Sequence, residues 1–172
     1  MRSTRPAMQN AHAATAPAAH TATTGHPGCP GEPMPLFRIS LRADRPASQQ
    51  TAIAAAVHRA AVQTLGIPPN DRFQIIERLS ADALLASADY LDIERRDAVI
   101  VQVTLVRGRP APTKAAFFAA LAAELASAGV RREDLLVTLT ENGREDWSLG
   151  LGEAQLLDEH LMRRHGWALP TA

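Results

Sequence analysis

Apolar and polar residues follow, in order, the periods of a strand, a helix and a second strand. Phe37, Ile39 and Leu41 alternate with polar side chains, which is the pattern of a half-buried strand. Apolar residues then recur at helical spacing over about 18 residues, until Gly66 and the prolines after it end the helix. Positions 72–77 are typical of a second strand, so this segment predicts one βαβ unit.

The same order of patterns recurs further along the chain. Val101, Val103 and Leu105 alternate with other residues as the first strand does, and apolar residues at helical spacing follow. That helix ends at Gly129, and positions 135–141 predict the last strand. The segment therefore predicts a second βαβ unit.

The two units form a tandem repeat, one at 35–77 and the other at 98–141. Arg45 and Arg109 are 64 positions apart, as are the prolines that follow them. Two βαβ units predict an α+β (α/β) fold, in which a four-stranded mixed sheet carries two helices on one face. We expect residues 78–97 to form the linker between the repeats.

Two short helices are expected outside the repeats. One lies in the linker at positions 81–86, and the other lies near the end of the chain at positions 153–164. Residues 158–172 are predicted to form a C-terminal tail beyond the folded domain at 34–157.

One face of the predicted sheet has no helix to cover it. Strict alternation places Leu36, Ile76, Ile100 and Val106 on that face. An apolar sheet face of this size usually packs against another subunit, so we expect a homo-oligomer.

Charge and composition narrow the range of partners. The chain has 18 basic and 18 acidic side chains, so it lacks the electrostatic footprint of a protein that binds nucleic acid or an anionic membrane. Its one cysteine excludes an internal disulfide framework, and no apolar run approaches the roughly 20 residues that cross a bilayer. We therefore expect a soluble, cytoplasmic protein with no nucleic-acid or membrane partner.

Residues 1–33 differ from the rest of the chain because they contain no Ile, Leu, Val, Phe, Tyr or Trp. Such a segment has nothing to bury, which predicts a disordered leader or a start codon assigned too far upstream. The spacing of its His12, His20, His26 and Cys29 matches no zinc-binding pattern. We expect neither a metal nor a cofactor.

Several short motifs occur in a fixed order along the chain. They are Met34-Pro35-Leu36, the stretch from Gly66 to Gln74, the turn Arg107-Gly108-Arg109, the stretch from Glu141 to Ser148, and Gly152-Glu153-Ala154-Gln155. On these motifs the chain resembles the tautomerase superfamily, and within it the malonate semialdehyde decarboxylase and 4-oxalocrotonate tautomerase-like group. The resemblance covers residues 34–157, and it implies a cofactor-independent isomerase or decarboxylase that works as a homotrimer.

The resemblance also implies a role for each residue of the site. Pro35 would be the catalytic amine, exposed by removal of the methionine before it. Arg107 and Arg109 would hold the substrate carboxylate and polarise its carbonyl, and Asp71 would tune the proline. Trp147 would lie in the apolar wall of the pocket. At the position after Trp147-Ser148, many relatives carry Phe and this chain carries Leu149, so the wall differs there.

A free prolyl nitrogen suits acid–base chemistry on a small oxo acid or semialdehyde. An α-amino group titrates near pH 8 in model peptides, close to where general acid–base catalysis works best. Nearby guanidinium groups favour the neutral amine, which as a base would catalyse keto–enol tautomerisation. A nearby carboxylate favours the protonated amine, which as an acid would assist decarboxylation of a β-oxo acid such as malonate semialdehyde. Both reactions stay open at this point.

In the sequence, an amide bond joins Met34 to Pro35. The nitrogen of such an amide can neither accept nor donate a proton at neutral pH. Activity therefore requires translation from Met34 followed by removal of the methionine, or proteolysis at the same bond. The alternative is a non-catalytic trimeric binding module, in which the leader blocks Pro35.

Overall fold

The structure is a computed structural model, and it describes residues 34–167. Its strands are β1 (Pro35–Arg42), β2 (Phe73–Leu79), β3 (Val99–Val106) and β4 (Leu135–Asn142). Its helices are α1 (Ala47–Thr64), α2 (Ala111–Ser127) and α3 (Glu159–Arg164). Residues 1–33, for which disorder is predicted, lie outside the described residues, as do residues 168–172 at the end of the predicted tail.

The four strands form one mixed sheet in the order β2-β1-β3-β4. Strand β1 runs parallel to β2 and antiparallel to β3, and β3 runs parallel to β4. Each parallel pair is one βαβ unit, and the antiparallel contact joins the two units at the centre of the sheet. The predicted sheet is therefore confirmed.

Both long helices pack on the same face of this sheet. The main core is formed by alternate residues of the strands together with apolar residues of α1 and α2. Phe37 of β1 and Phe117 of α2 lie at its centre, fully buried, with their ring centroids 6.5 Å apart. Alanines such as Ala56 and Ala60 are buried on α1, and their small side chains let the helix pack closely. The fold predicted from the repeat is confirmed.

Glycines set the ends of both long helices. Gly66 and Gly129 follow α1 and α2 closely and have φ angles of 71° and 78°. This left-handed conformation costs glycine little and other residues more, so a helix ends readily there. The predicted helix ends are confirmed.

The two short helices differ from their prediction. Positions 81–86 do not form a helix: a turn takes their place, with the backbone N–H of Ala83 donating to the carbonyl of Ser80 at 3.0 Å. The segment has no apolar face to bury, since Leu85 is 79% exposed. The segment 153–164 is divided into a single 3₁₀ turn (Gln155–Leu157) and α3.

Asp158 causes this division of the C-terminal segment. Its side chain accepts a hydrogen bond from the backbone N–H of Leu161 at 2.9 Å. That contact is typical of the residue before the first turn of a helix, so a new helix begins there and the 3₁₀ turn ends. No helix within residues 34–167 is long and apolar enough to cross a membrane.

The open face of the sheet carries a different set of residues from the one predicted. Ile76 pairs with Ile39, which places it on the helix side, because the register between β1 and β2 fixes the phase of β2. Val106 is 2% exposed, since the C-terminal segment packs on it. The open face is instead formed by Leu36, Phe73, Ile75, Ile100 and Leu136 together with polar residues.

Candidate active site

Three loops and strand ends meet at one end of the sheet. Pro35 begins β1 and pairs with Leu105 near the end of β3. The turn that carries Arg107 and Arg109 therefore follows directly beside the start of β1. Asp71 belongs to the loop that enters β2, the neighbour of β1 on its other side. The fold thus directs all four predicted site residues to the same end of the sheet.

Asp71 lies beside the peptide bond that acylates Pro35. The backbone N–H of Met34 donates a hydrogen bond to Asp71 Oδ2 at 3.1 Å. Pro35 and Met34 are both buried, and Met34 has a φ angle of 60°, which residues other than glycine seldom adopt. The carboxylate therefore reaches the immediate surroundings of the prolyl nitrogen.

Burial dominates the electrostatics of Asp71. The residue is 8% exposed, and its Oδ1 atom has no hydrogen-bond partner among the described residues. Loss of hydration raises the pKa of the Asp71 carboxyl above its ordinary value, while the Met34 N–H, His58 and Arg109 oppose the shift. The carboxyl is thus a poorly solvated group with one oxygen free to accept a proton or a ligand.

Arg109 is buried and held in place by backbone carbonyls. Its Nε and Nη2 atoms donate to the carbonyl of Leu65 at 3.3 Å, and its Nη1 donates to the carbonyl of Val106 at 3.2 Å. These contacts orient the guanidinium, and its positive charge acts on Asp71. The structure therefore brings Pro35, Asp71 and Arg109 together.

Arg107 and Trp147 lie at the border of this group and share one neighbour. Arg107 is exposed, and its Nε donates to the carbonyl of Asn142 at 3.2 Å. The indole Nε1 of Trp147 donates to the side-chain Oδ1 of the same asparagine at 2.7 Å. Arg107 is thus the solvent-facing member of the arginine pair, and Asn142 is a shared hydrogen-bond acceptor that the sequence did not single out.

A small apolar cluster lies against the site, and sequence reasoning assigned only Trp147 of it to the pocket wall. Met34, Val106, Leu156 and Met162 form its buried part, with Trp147, Leu161 and Trp167 packed against it. Leu156 and Met162 were missed because the segment is divided into a 3₁₀ turn and α3, so no single helical period marks its inward face. Leu149, which departs from the pattern of many relatives, is 39% exposed.

No group of three or more His, Cys, Asp or Glu side chains within positions 34–167 could hold a metal ion. The histidines and the cysteine of the leader lie outside the described residues.

Comparisons with known proteins identify the family to which the chain belongs. Two family models, each described as a tautomerase enzyme, match residues 35–91 and 71–150. The probable tautomerase YusQ of Bacillus subtilis is 32% identical over 127 residues, which cover 73% of this chain and 100% of the relative.

Two solved malonate semialdehyde decarboxylases are also similar to the chain. One, designated FG41 and inhibited by 3-bromopropiolate, is 39% identical with a TM-score of 0.69, covering 78% of this chain and 99% of the other. The second is 30% identical with a TM-score of 0.67, covering 71% and 95% of the two chains.

The burial of Asp71 predicts a pH dependence of stability. Because its pKa is raised above 3.8 in the folded chain, the folded state holds this proton more tightly than the unfolded state. Stability from this group is therefore present at low pH and falls as pH rises through the raised pKa. We expect the unfolding free energy of Asp71→Asn, relative to the unaltered chain, to increase from about pH 4 to about pH 7 in urea denaturation.

Glu77 provides a control of opposite sign. Hydrogen bonds from Ser40 and Arg38 lower the pKa of the Glu77 carboxyl, so its contribution is present at neutral pH and is lost as pH falls. The relative unfolding free energy of Glu77→Gln should therefore decrease over the same range. Parallel pH trends in the two variants would contradict the assignment.

Proposed function

The chain belongs to the tautomerase superfamily, and from that premise we propose that it uses the free amine of Pro35 as an acid or base on a small oxo acid or semialdehyde. Decarboxylation of a malonate semialdehyde-like compound is the first candidate reaction, and keto–enol tautomerisation is the second. The observation that carries the proposal is the hydrogen bond from Met34 to Asp71, which puts a buried carboxylate beside the prolyl nitrogen. The similarity to two malonate semialdehyde decarboxylases favours the first reaction.

Asp71 and Arg109 act on the amine in opposite directions. A carboxylate beside the amine stabilises its protonated form, and a guanidinium beside it stabilises the neutral form. Asp71 Oδ2 loses its partner when Met34 is removed, so it becomes available to the ammonium group of Pro35. This pairing favours an amine that is protonated at neutral pH and acts as an acid.

In the proposed decarboxylation, the two arginines bind the substrate and the ammonium group of Pro35 supplies a proton. Arg107, at the border, and Arg109, inside, bind the oxo acid through charge-assisted hydrogen bonds. The bond between the carboxylate and its carbon breaks, its electron pair moves into the carbonyl group, and carbon dioxide leaves. The Pro35 ammonium donates its proton to the resulting enolate, and the amine regains a proton from solvent. No cofactor takes part in this sequence.

The reaction requires that the bond between Met34 and Pro35 is absent from the working protein. Translation from Met34 followed by methionine removal, or proteolysis at the same bond, would expose the amine. The second candidate function is a non-catalytic binding module, in which Met34 stays bonded to the nitrogen of Pro35. Intact-mass measurement of the protein from its own gene separates the two, because the enzyme must begin at Pro35.

We also propose that the chain forms a homotrimer through its open sheet face. Three apolar side chains of this face are exposed: Phe73 at 47%, Ile75 at 38% and Leu136 at 42%. Apolar side chains that share one exposed face indicate a surface that packs against another subunit. Within residues 34–167, strands β2 and β4 also leave both edges of the sheet unpaired. A fused 4-OT protein with the same fold forms a symmetric trimer, at 24% identity and a TM-score of 0.59.

A charge on the open face should disrupt this assembly. We expect Ile75→Glu to sediment as a smaller species than the unaltered protein, because burial of the new carboxylate between subunits is unfavourable. Leu85→Glu, at a linker position that is 79% exposed, is the control and should keep the native mass. Equal sedimentation of both variants as monomers, or of both as trimers, would exclude this interface.

Variants of the site test the proposed catalysis in protein that begins at Pro35. We expect Pro35→Ala to lower kcat by about a hundredfold or more, because the amine is no longer fixed by its ring. Arg109→Ala should lower kcat/KM by a similar factor, because the substrate carboxylate loses its buried partner. Turnover of malonate semialdehyde is the measurement, with thermal unfolding as the test of folding.

Arg45 is the matched control for Arg109, since it occupies the equivalent position in the first repeat. It too is buried, and it pairs with Asp97 at 2.6 Å near the opposite end of the sheet. Arg45→Ala should cost stability and leave kcat/KM within about threefold of the unaltered protein. Full activity of Pro35→Ala would rule out the proposed mechanism.

A further inference from the structure

Met34 places its side chain in a cluster that is separate from the main core. The residue is 7% exposed and packs with Val106, Leu156 and Met162, which are 2%, 1% and 4% exposed. Val106 ends β3, whereas Leu156 and Met162 belong to the C-terminal segment. These three residues are called the Met34 seat below.

Aromatic side chains border the seat. Trp147 and Trp167 are partly buried and pack against the cluster, as does Leu161. The indole of Trp147 is fixed by its hydrogen bond to Asn142. The seat is therefore enclosed by apolar groups of the C-terminal segment on one side and by the end of the sheet on the other.

Removal of Met34 empties this seat at the place where the chemistry is proposed to occur. Met34 is bonded directly to the nitrogen of Pro35, so the space that its side chain leaves adjoins the freed amine. A recess lined by valine, leucine and methionine offers water no hydrogen-bond partners, and such cavities bind apolar groups instead. The recess thus suits an apolar part of a ligand.

The polar surroundings determine the orientation of that ligand. Asp71, which binds the Met34 N–H, and the buried Arg109 lie on the polar side of the same amine. A ligand that enters would direct its carboxylate to the arginines and its apolar end to the seat.

We infer that the Met34 seat binds an unbranched apolar tail of the substrate, and that Met34 occupies this seat as an internal inhibitor in the uncleaved chain. A methionine side chain is unbranched with three rotatable bonds, so the seat accepts a straight tail of about four heavy atoms. The substrates are then straight-chain oxo acids, which are longer than malonate semialdehyde. The inference rests on the proposed function, because that function places the reacting carbon at Pro35.

Unreactive straight-chain carboxylates test the seat without any turnover. Acetate, propionate, butanoate, pentanoate and hexanoate are titrated into protein that begins at Pro35, with the emission of the two tryptophans as the signal. We expect affinity to rise about threefold for each methylene that enters the seat, and then to level off. Affinity that is independent of chain length would overturn the inference.

The full-length chain separates the seat from the amine. In the variant Met34→Gly the nitrogen of Pro35 stays acylated but the seat is empty, and glycine readily adopts the φ angle of 60° found there. We expect this variant to bind hexanoate without turning over any oxo acid, and the unaltered full-length chain to bind it at least about tenfold more weakly. Equal hexanoate affinity in the two full-length proteins would overturn the inference.

Leu156→Phe fills the seat of the protein that begins at Pro35 and should lower its affinity for hexanoate by a larger factor than its affinity for acetate. Leu151→Phe is the matched control, because Leu151 belongs to the same segment and is 93% exposed. Binding that depends on tail length supports the seat whether or not an oxo acid is turned over. Absence of turnover would refute only the proposed function. Turnover without any preference for tail length overturns the seat and leaves the proposed function intact.

Discussion

The placement of Asp71 against the backbone at the start of β1 is the constraint on which the proposed chemistry depends. It joins the loop before β2 to the start of β1 and holds a poorly hydrated carboxylate beside one nitrogen. Arg109 adds a buried positive charge within reach of the same carboxylate. A secondary amine between these two charges would have its protonation state set by the fold, and the reaction that it catalyses follows from that state.

The tandem repeat explains why only one end of the sheet carries this arrangement. Asp134 lies 63 positions after Asp71 and also accepts backbone N–H groups just before a strand, from Arg96 and Asp97. At that end, however, Arg45 is paired with the carboxylate of Asp97. Arg45 thus lies against Asp97 at one end of the sheet, and Arg109 lies near Asp71 at the end that carries the proline.

The fold was largely predictable from the sequence, because its determinants are local. Alternation, helical spacing and the glycines at helix ends act within a few residues, and they predicted the four strands and the two long helices. The side of the sheet that Ile76 faces was not predictable, because it depends on the register between two strands. The roles of Leu156 and Met162 depend on contacts across the chain with Met34, and no period in their segment indicates them.

The decisive measurement is titration of the Pro35 nitrogen by ¹⁵N NMR in protein that begins at that residue. We expect the amine to titrate above about pH 7, so that it is protonated at neutral pH, and we expect Asp71→Asn to lower its pKa because the ammonium loses its carboxylate partner. A nitrogen that does not titrate between about pH 7 and about pH 10, or a pKa that is the same in Asp71→Asn, would contradict this expectation.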